Sequence, residues 1–169
     1  MNTINLWTDG AATMTLKNGD YERGNGGWAF IVERNNEKIF DKFNGKRVTT
    51  NQEMELTAIY EGLKYLIVQS EYDNCDINIY SDSAYCINIY TQWAKSWERN
   101  AWRRKGNKPI VNLDIIRYTW SLLKDMTKNR QINFIKVKGH NGNYWNEKVD
   151  TLAVAAKQLQ TFDFADDLK

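Results

Sequence analysis

The stretch Asn5-Leu6-Trp7-Thr8-Asp9-Gly10 decides how the chain folds, together with a second stretch of the same form, Asn78-Ile79-Tyr80-Ser81-Asp82. Each runs Asn, aliphatic, aromatic, hydroxyl, Asp, and each reads as a short strand ending on a carboxylate. Side chains alternate faces along a strand, so Asn5, Trp7 and Asp9 share one face, as do Asn78, Tyr80 and Asp82. Laid parallel and side by side, about 4.8 Å apart, the two strands bring Asp9 and Asp82 together at one sheet edge. Adjacent carboxylates repel, and such a pair survives mainly where a cation sits between them. Either stretch taken alone is equally an ordinary strand end with a turn-forming aspartate.

Working outward, 169 residues suit one domain with a real core. The core is expected over about residues 3–157, with 158–169 a frayed acidic tail. Seven Trp and nine Tyr accompany a single Pro, and the net charge of +2 is too small to argue for nucleic acid unless the charges are clustered. Cys75 and Cys86 lack metal-ligand spacing and follow no signal peptide, so they read as reduced thiols of a cytoplasmic protein. No apolar run approaches the roughly 20 residues of a membrane span.

After Asp9 the residues from Lys17 to Gly27 hold four of the ten glycines and read as a polar loop. Trp28 to Val32 and Lys38 to Lys46 read as two strands joined by an Asn35-Asn36 turn, completing an antiparallel meander. From Thr50 the period changes. Leu56, Ile59, Tyr60, Leu63, Leu66 and Ile67 fall on one helix face. Thr50 and Glu53 form a capping box at its start, which gives Glu53 a structural task. Glu55 lies at the margin of the apolar stripe, where it can look along the sheet, although an acidic residue in a first turn is commonly a dipole contact alone.

Ile77 to Asp82 is the next strand, followed by a helix capped by Ser83 and running to about Thr91. Residues 93–108 are strongly basic, with Lys95, Arg99, Arg103, Arg104, Lys105 and Lys108 interleaved with Trp93, Trp97 and Trp102. That pattern suits a phosphate backbone with ribose or base contacts. The competing reading is a solvated helix whose tryptophans pack inward. Trp93 and Trp97, at i and i+4, fit packing; Trp102, beside three cations and before Gly106, is expected to be exposed. Leu113 to Met126 reads as a helix and Ile132 to Val137 as a fifth strand. A loop with the only histidine, His140, precedes a last helix carrying Trp145, Val149, Leu152, Ala153 and Ala156 on one face and Asp150 on its flank.

Asp9, Glu55, Asp82 and Asp150 are thus four acidic residues in unusual positions. Oxygen donors without Cys or a His cluster favour Mg²⁺ or Mn²⁺ over zinc. Two such ions about 4 Å apart can activate water and stabilise a leaving oxygen in phosphodiester cleavage.

In sequence order, Thr8-Asp9-Gly10, Thr49-Thr50-Asn51 with Met54-Glu55-Leu56, Tyr80-Ser81-Asp82-Ser83, Val137-Lys138-Gly139-His140 and Asn146-Glu147-Lys148-Val149-Asp150 resemble the motifs of ribonuclease H type 1. The likeness runs from about Asn5 to Ala156. It implies an α/β fold with a five-stranded mixed sheet of order 3-2-1-4-5 and helices on both faces. It implies a catalytic set of Asp9, Glu55, Asp82, His140 and Asp150, in which the four carboxylates bind two Mg²⁺, with Mn²⁺ a substitute, and His140 is mobile. It also implies cutting of the RNA strand of RNA–DNA hybrids, leaving 5′-phosphate and 3′-hydroxyl ends. Thr50, Asn51 and Gln52, and the basic protrusion with Trp97, Trp102, Arg103, Arg104 and Lys105, are the implied substrate contacts. A monomer with no small-molecule cofactor is expected.

Three departures stand out. The loop after Asp9 is long and lacks the family's Asn-Pro-Gly, Gln52 and Glu53 replace Asn and Arg, and Ala84 replaces Gln. Glu53 is expected to weaken phosphate attraction. An integrase or junction resolvase would share the carboxylates but not the Val-Lys-Gly-His loop with a basic protrusion. A binding module without catalysis would be expected to lack a carboxylate, and a domain of a reverse transcriptase to lack the protrusion.

Overall fold

Two asparagine turns build the first half of the sheet. Asn18-Gly19 and Asn35-Asn36 all have positive φ (52°, 84°, 54° and 63°), as in the primed hairpin turns whose twist matches that of paired strands. They fold β1 (Thr3–Lys17), β2 (Asp20–Arg34) and β3 (Glu37–Thr49) into an antiparallel meander. The stretch 17–27, expected as a polar loop, is therefore mostly strand. Main-chain pairing needs no apolar alternation, and Asn18-Gly19 is the signal for it.

β1 also pairs, in parallel, with β4 (Asp76–Ser81), and β4 pairs with β5 (Ile132–Lys136), giving the expected order β3-β2-β1-β4-β5. The register sets Asn5 opposite Asn78 and Trp7 opposite Tyr80. The rings of Trp7 and Tyr80 stack at 3.9 Å. The computed structural model describes residues 2–139 and 142–159; His140 and residues 160–169 of the tail expected over 158–169 lie outside the described residues, while Gln158, expected to begin that tail, is the last residue of a helix capped by Leu159.

Alternation then sorts the core. Ile4, Leu6, Phe30, Val32, Ile77 and Ile79 pack on one side with Met54, Leu56, Ile59 and Leu63 of α1 (Asn51–Ile67) and with Ile116 and Leu123 of α4 (Leu113–Met126). Trp7, Ala29 and Ile31 face the other way, against Val149 and Ala153 of α5 (Tyr144–Gln158). That helix lies so close to β2 that a Cβ on Gly27 would stand 2.3 Å from the Ala153 carbonyl oxygen and 2.4 Å from the Lys157 nitrogen. Only glycine fits there.

The helix after β4 runs further than expected. α2 (Ala84–Asn88) continues through one π-helical turn, Ile89–Trp93, into α3 (Ala94–Arg99). No Gly or Pro intervenes, and Ile89, Tyr90 and Ala94 keep the helix face buried. Trp97 packs partly buried against the core as its spacing predicts, but Trp93 is exposed, and Trp102, expected to be exposed, also packs partly buried there. Positive φ at Ala101 and Trp102 turns the chain back, and the Arg117 guanidinium lies 5.5 Å from the Trp102 ring centre. Cys75 and Cys86 are buried and unpaired with each other. No helix among the described residues is long and apolar enough to cross a membrane.

Candidate active site

The parity that puts Trp7 under α5 also sets the direction of Asp9. Parallel pairing ends at Trp7 and Tyr80, where the Thr8 hydroxyl donates to the Tyr80 carbonyl at 2.9 Å and ties the strands together. Asp9 follows on β1 and Asp82 lies just past the end of β4. On the other face, α1 comes so close that a Cβ on Gly10 would stand 2.3 Å from the Glu55 nitrogen. Gly10 thus lets the second turn of α1 reach the strand end and deliver Glu55. The carboxylates of Asp9, Glu55 and Asp82 lie within 4.8 Å of one another. Asp150, on the second turn of α5, lies beside Asp9, close enough for its carboxyl group to raise that of Asp9.

Electrostatics follow from that crowding. Asp9 is 5 % exposed, and its Oδ1 accepts from the Gly10 N–H at 2.9 Å. Burial first, then the charge of Asp82 and the neighbouring Asp150 carboxyl, push Asp9 up to about 9 against the pull of Gly10. Burial, with help from Asp82, pushes Glu55 up to about 7, opposed by a hydrogen bond to Ser83. Ser83 also caps α2, accepting from the Cys86 N–H at 3.1 Å. The sequence shows Ser83 as a cap alone; its contact to Glu55 comes from the tertiary placement of α1 beside α2. The cluster carries only oxygen donors on a crowded set of anions, which fits divalent Mg²⁺ or Mn²⁺.

Of the other expected site residues, His140 lies outside the described residues. Gly139, immediately before it, brings the loop alongside Asp82: a Cβ there would stand 3.5 Å from Asp82 Oδ2. Thr50 caps α1, accepting from the Glu53 N–H at 3.1 Å. The return bond of a full capping box is not among those observed. Instead Glu53 accepts from the Thr49 hydroxyl and pairs with Lys46 at 3.0 Å, so its charge is partly offset where a phosphate would approach. Asn51 is exposed, and its Oδ1 accepts from the Ala12 N–H at 2.6 Å. Gln52 is exposed.

Arg103, Arg104 and Lys105 are exposed on a tight turn closed by the Arg104 N–H donating to the Lys108 carbonyl at 3.0 Å. Half-buried Trp97 and Trp102 support that turn from beneath, with the Trp102 N–H donating to the Trp97 carbonyl at 2.7 Å. Tyr85 lies within electrostatic range of both Arg104 and Glu55.

The whole described sheet and its helices match the RNase H family model, over residues 1–158. The chain is 36 % identical over 155 residues to a ribonuclease H of Thermoanaerobacter sp. (strain X514), covering 90 % of this chain and 88 % of that one. It is 37 % identical over 152 residues to a ribonuclease H of Caldanaerobacter subterraneus subsp. tengcongensis, with 89 % and 88 % covered. Among solved structures, LC9-RNase H1, described as a type 1 RNase H with the type 2 active-site motif, superposes with a TM-score of 0.74 at 23 % identity, over 95 % of this chain and 74 % of that one. A foamy viral protease-reverse transcriptase in complex with RNA/DNA hybrid superposes with a TM-score of 0.75 at 16 % identity, over 94 % and 20 %.

Proposed function

The chain belongs to the ribonuclease H family, whose members cleave RNA within RNA–DNA hybrids, and we propose that it does so as an endonuclease using two divalent ions. The observation that carries this reading is the meeting of Asp9, Glu55 and Asp82 within 4.8 Å, with Asp150 beside Asp9. These four carboxylates would hold Mg²⁺, with Mn²⁺ a substitute. Bound there, the ions would supply water activation and stabilisation of the leaving oxygen.

The chain's own residues do the rest. Thr8, Gly10 and Ser83 hold the carboxylates in place, so little reorganisation is needed when charge develops. Water adds to phosphorus, the bond from phosphorus to the 3′-oxygen breaks, and the ends are a 5′-phosphate and a 3′-hydroxyl. His140 is proposed to take up or return a proton during the reaction. Thr50, Asn51 and Gln52 meet the strand that carries 2′-hydroxyl groups, and Arg103, Arg104 and Lys105 the phosphates of the partner strand, with Trp97 and Trp102 holding the turn rigid. One chain supplies all four carboxylates, so a monomer suffices and no small-molecule cofactor is required. Reduced Cys75 and Cys86 suit a cytoplasmic setting.

Labelled RNA–DNA hybrid, double-stranded RNA, double-stranded DNA and single-stranded RNA, each with Mg²⁺ or with EDTA, test this reading in one gel. Internal cuts in the RNA of the hybrid alone, abolished by EDTA, are expected. Equal cutting of double-stranded DNA refutes it.

A further inference from the structure

The two edges of the sheet are built differently. β3, at one edge, carries charges at Glu37, Lys38, Asp41, Lys42, Lys46 and Arg47, and its register on β2 shifts near Gly24 and Val32. Charged side chains and bulges keep an exposed edge from pairing with another strand. β5, at the other edge, reads Ile132-Asn133-Phe134-Ile135-Lys136, with one charge, no proline and an unbroken register on β4. The Gln131 carbonyl accepts from the Ile77 N–H and the Val137 N–H donates to the Ser81 carbonyl, each at 2.9 Å. Main-chain groups alternate in direction along a strand, so those of Ile132, Phe134 and Lys136 turn outward. Among the described residues no strand pairs with them.

Each face of β5 also brings its own chemistry to this edge. On the side of α5 an amide ladder crosses the sheet. Asn133 Nδ2 donates to Asn78 at 3.2 Å, Asn78 Nδ2 to Asn5 at 3.3 Å, and Asn5 Nδ2 to the buried Glu33 at 3.2 Å. The ladder reaches the edge at Asn133, which is exposed. On the side of α4 a cavity of about 350 Å³ lies against the strand, lined by Ile132 and Phe134 with Tyr90, Trp120 and Leu123. A strand added to this edge therefore meets open main-chain groups, an amide on one face and apolar side chains on the other.

We propose that the added strand is β5 of a second copy of this chain, pairing antiparallel about a two-fold axis at Asn133. Self-complementarity selects both the occupant and the register. Like faces stay together only where residues of the same parity stand opposite each other. Centred on Asn133, the pairing sets Ile132 opposite Phe134 of the second copy. These are residues whose main-chain groups turn outward, so each such pair exchanges two hydrogen bonds. Asn133 meets Asn133 of the second copy in the non-hydrogen-bonded position, where side chains come closest and the two amides can bond each other. The amide ladder then runs on from one sheet into the other, and the apolar rims of the two cavities meet. Centred on Phe134 instead, the pairing would set Asn133 against Ile135 and Ile132 against Lys136, polar against apolar on both faces. The one like-charged opposition, Lys136 to Arg130, is eased because the Arg130 guanidinium is drawn to the Tyr72 carbonyl at 3.1 Å. The axis stands perpendicular to the sheet, so the two carboxylate clusters lie at opposite ends of the joined sheets. Each chain keeps its own site, and the catalytic unit stays one chain.

Two short strands bury less than the roughly 1,200 Å² at which standard interfaces begin, so the dimer is expected to be weak and concentration-dependent. Sedimentation of the full chain without nucleic acid, from about 10 µM to about 1 mM, should show reversible monomer–dimer exchange within that range. Asn133→Asp would set two carboxylates face to face at the axis and should weaken the dimer on the order of tenfold at neutral pH, with hybrid cutting per chain unchanged. Asn133→Cys tests the register itself. Opposite residues of a non-hydrogen-bonded pair have Cα atoms about 4.5 Å apart, within disulfide range. Cys75 and Cys86 are buried and do not compete. Under mild oxidation at equal concentration, Asn133→Cys should cross-link on the order of tenfold faster than Ser121→Cys, an exposed position on α4. A parent that stays monomeric at about 1 mM overturns the proposal. Equal cross-linking of the two cysteine variants also overturns it, and leaves the edge of β5 to a different chain. So does a dimer that Asn133→Asp fails to weaken, since its contact then lies elsewhere.

Discussion

Replacing Asp9 by asparagine separates a catalytic site from a structural one. In the metal-free fold Asp9 is 5 % exposed and its carboxyl is raised from 3.8 to about 9 by burial, by Asp82 and by Asp150. Between those two values the folded protein binds a proton that the unfolded chain does not. Stability therefore falls as pH rises from about 4 through 9, and the contribution present below the unfolded value is lost by the folded one. At neutral pH that uptake costs up to about 4 kcal/mol at 1.4 kcal/mol per unit, and relaxation of a strand-end site lowers the figure toward 1 kcal/mol. The amide introduced by Asp9→Asn would keep the acceptor for the Gly10 N–H and carry no charge. Asp9→Asn should then be more stable than the parent in EDTA by about 1–4 kcal/mol, with a flatter dependence on pH across this window. Added Mg²⁺ should reverse the ranking, because a ligand that binds only the folded state stabilises it and the variant has lost the central carboxylate. Denaturant melts with and without Mg²⁺ over the window, beside a hybrid-cleavage assay, measure all of this. A variant less stable than the parent in EDTA, or one that keeps its activity, refutes the reasoning.

Changing Arg103, Arg104 and Lys105 together to Ala should lower the salt slope of hybrid binding by roughly two to three and raise KM more than it lowers kcat; an unchanged slope removes the basic turn from binding. His140→Ala should slow turnover by about 10²- to 10⁴-fold while hybrid affinity and Mg²⁺ binding persist, and loss of Mg²⁺ binding by calorimetry would make it a ligand instead. Glu33 is buried and accepts from Trp7 Nε1 at 3.1 Å, from the Asn36 N–H at 3.1 Å and from Asn5 Nδ2 at 3.2 Å. Glu33→Ala strands these donors and should cost about 2–4 kcal/mol in denaturant melts, with the carboxylate cluster still able to bind Mg²⁺; a cost below that of a surface substitution would refute the role.

Much of this protein is legible in strand parity. Alternation along Asn5-Leu6-Trp7-Thr8-Asp9 and along its match at Asn78 is a local property of any strand, so the shared face of Trp7 and Asp9, and of Tyr80 and Asp82, can be read without knowledge of any contact. The register of β1 on β4 turns that parity into adjacency. The helical period of α1 likewise places Glu55 at the margin of an apolar stripe. What local pattern cannot carry is distance. Gly10 is an unremarkable turn residue in the sequence, and its task, admitting the α1 backbone beside β1, exists only once the helix is docked. The raised carboxyls of Asp9 and Glu55 come from burial and from neighbours far away in the chain, and the ion pair of Glu53 with Lys46 depends on β3 meeting the start of α1. The β1–β2 hairpin escapes a reading by composition because its glycine-rich polar residues resemble a loop, while paired main chains ignore composition. Periodicity determined which side chains face together; only packing decided how near they come, because distance and burial depend on every element at once.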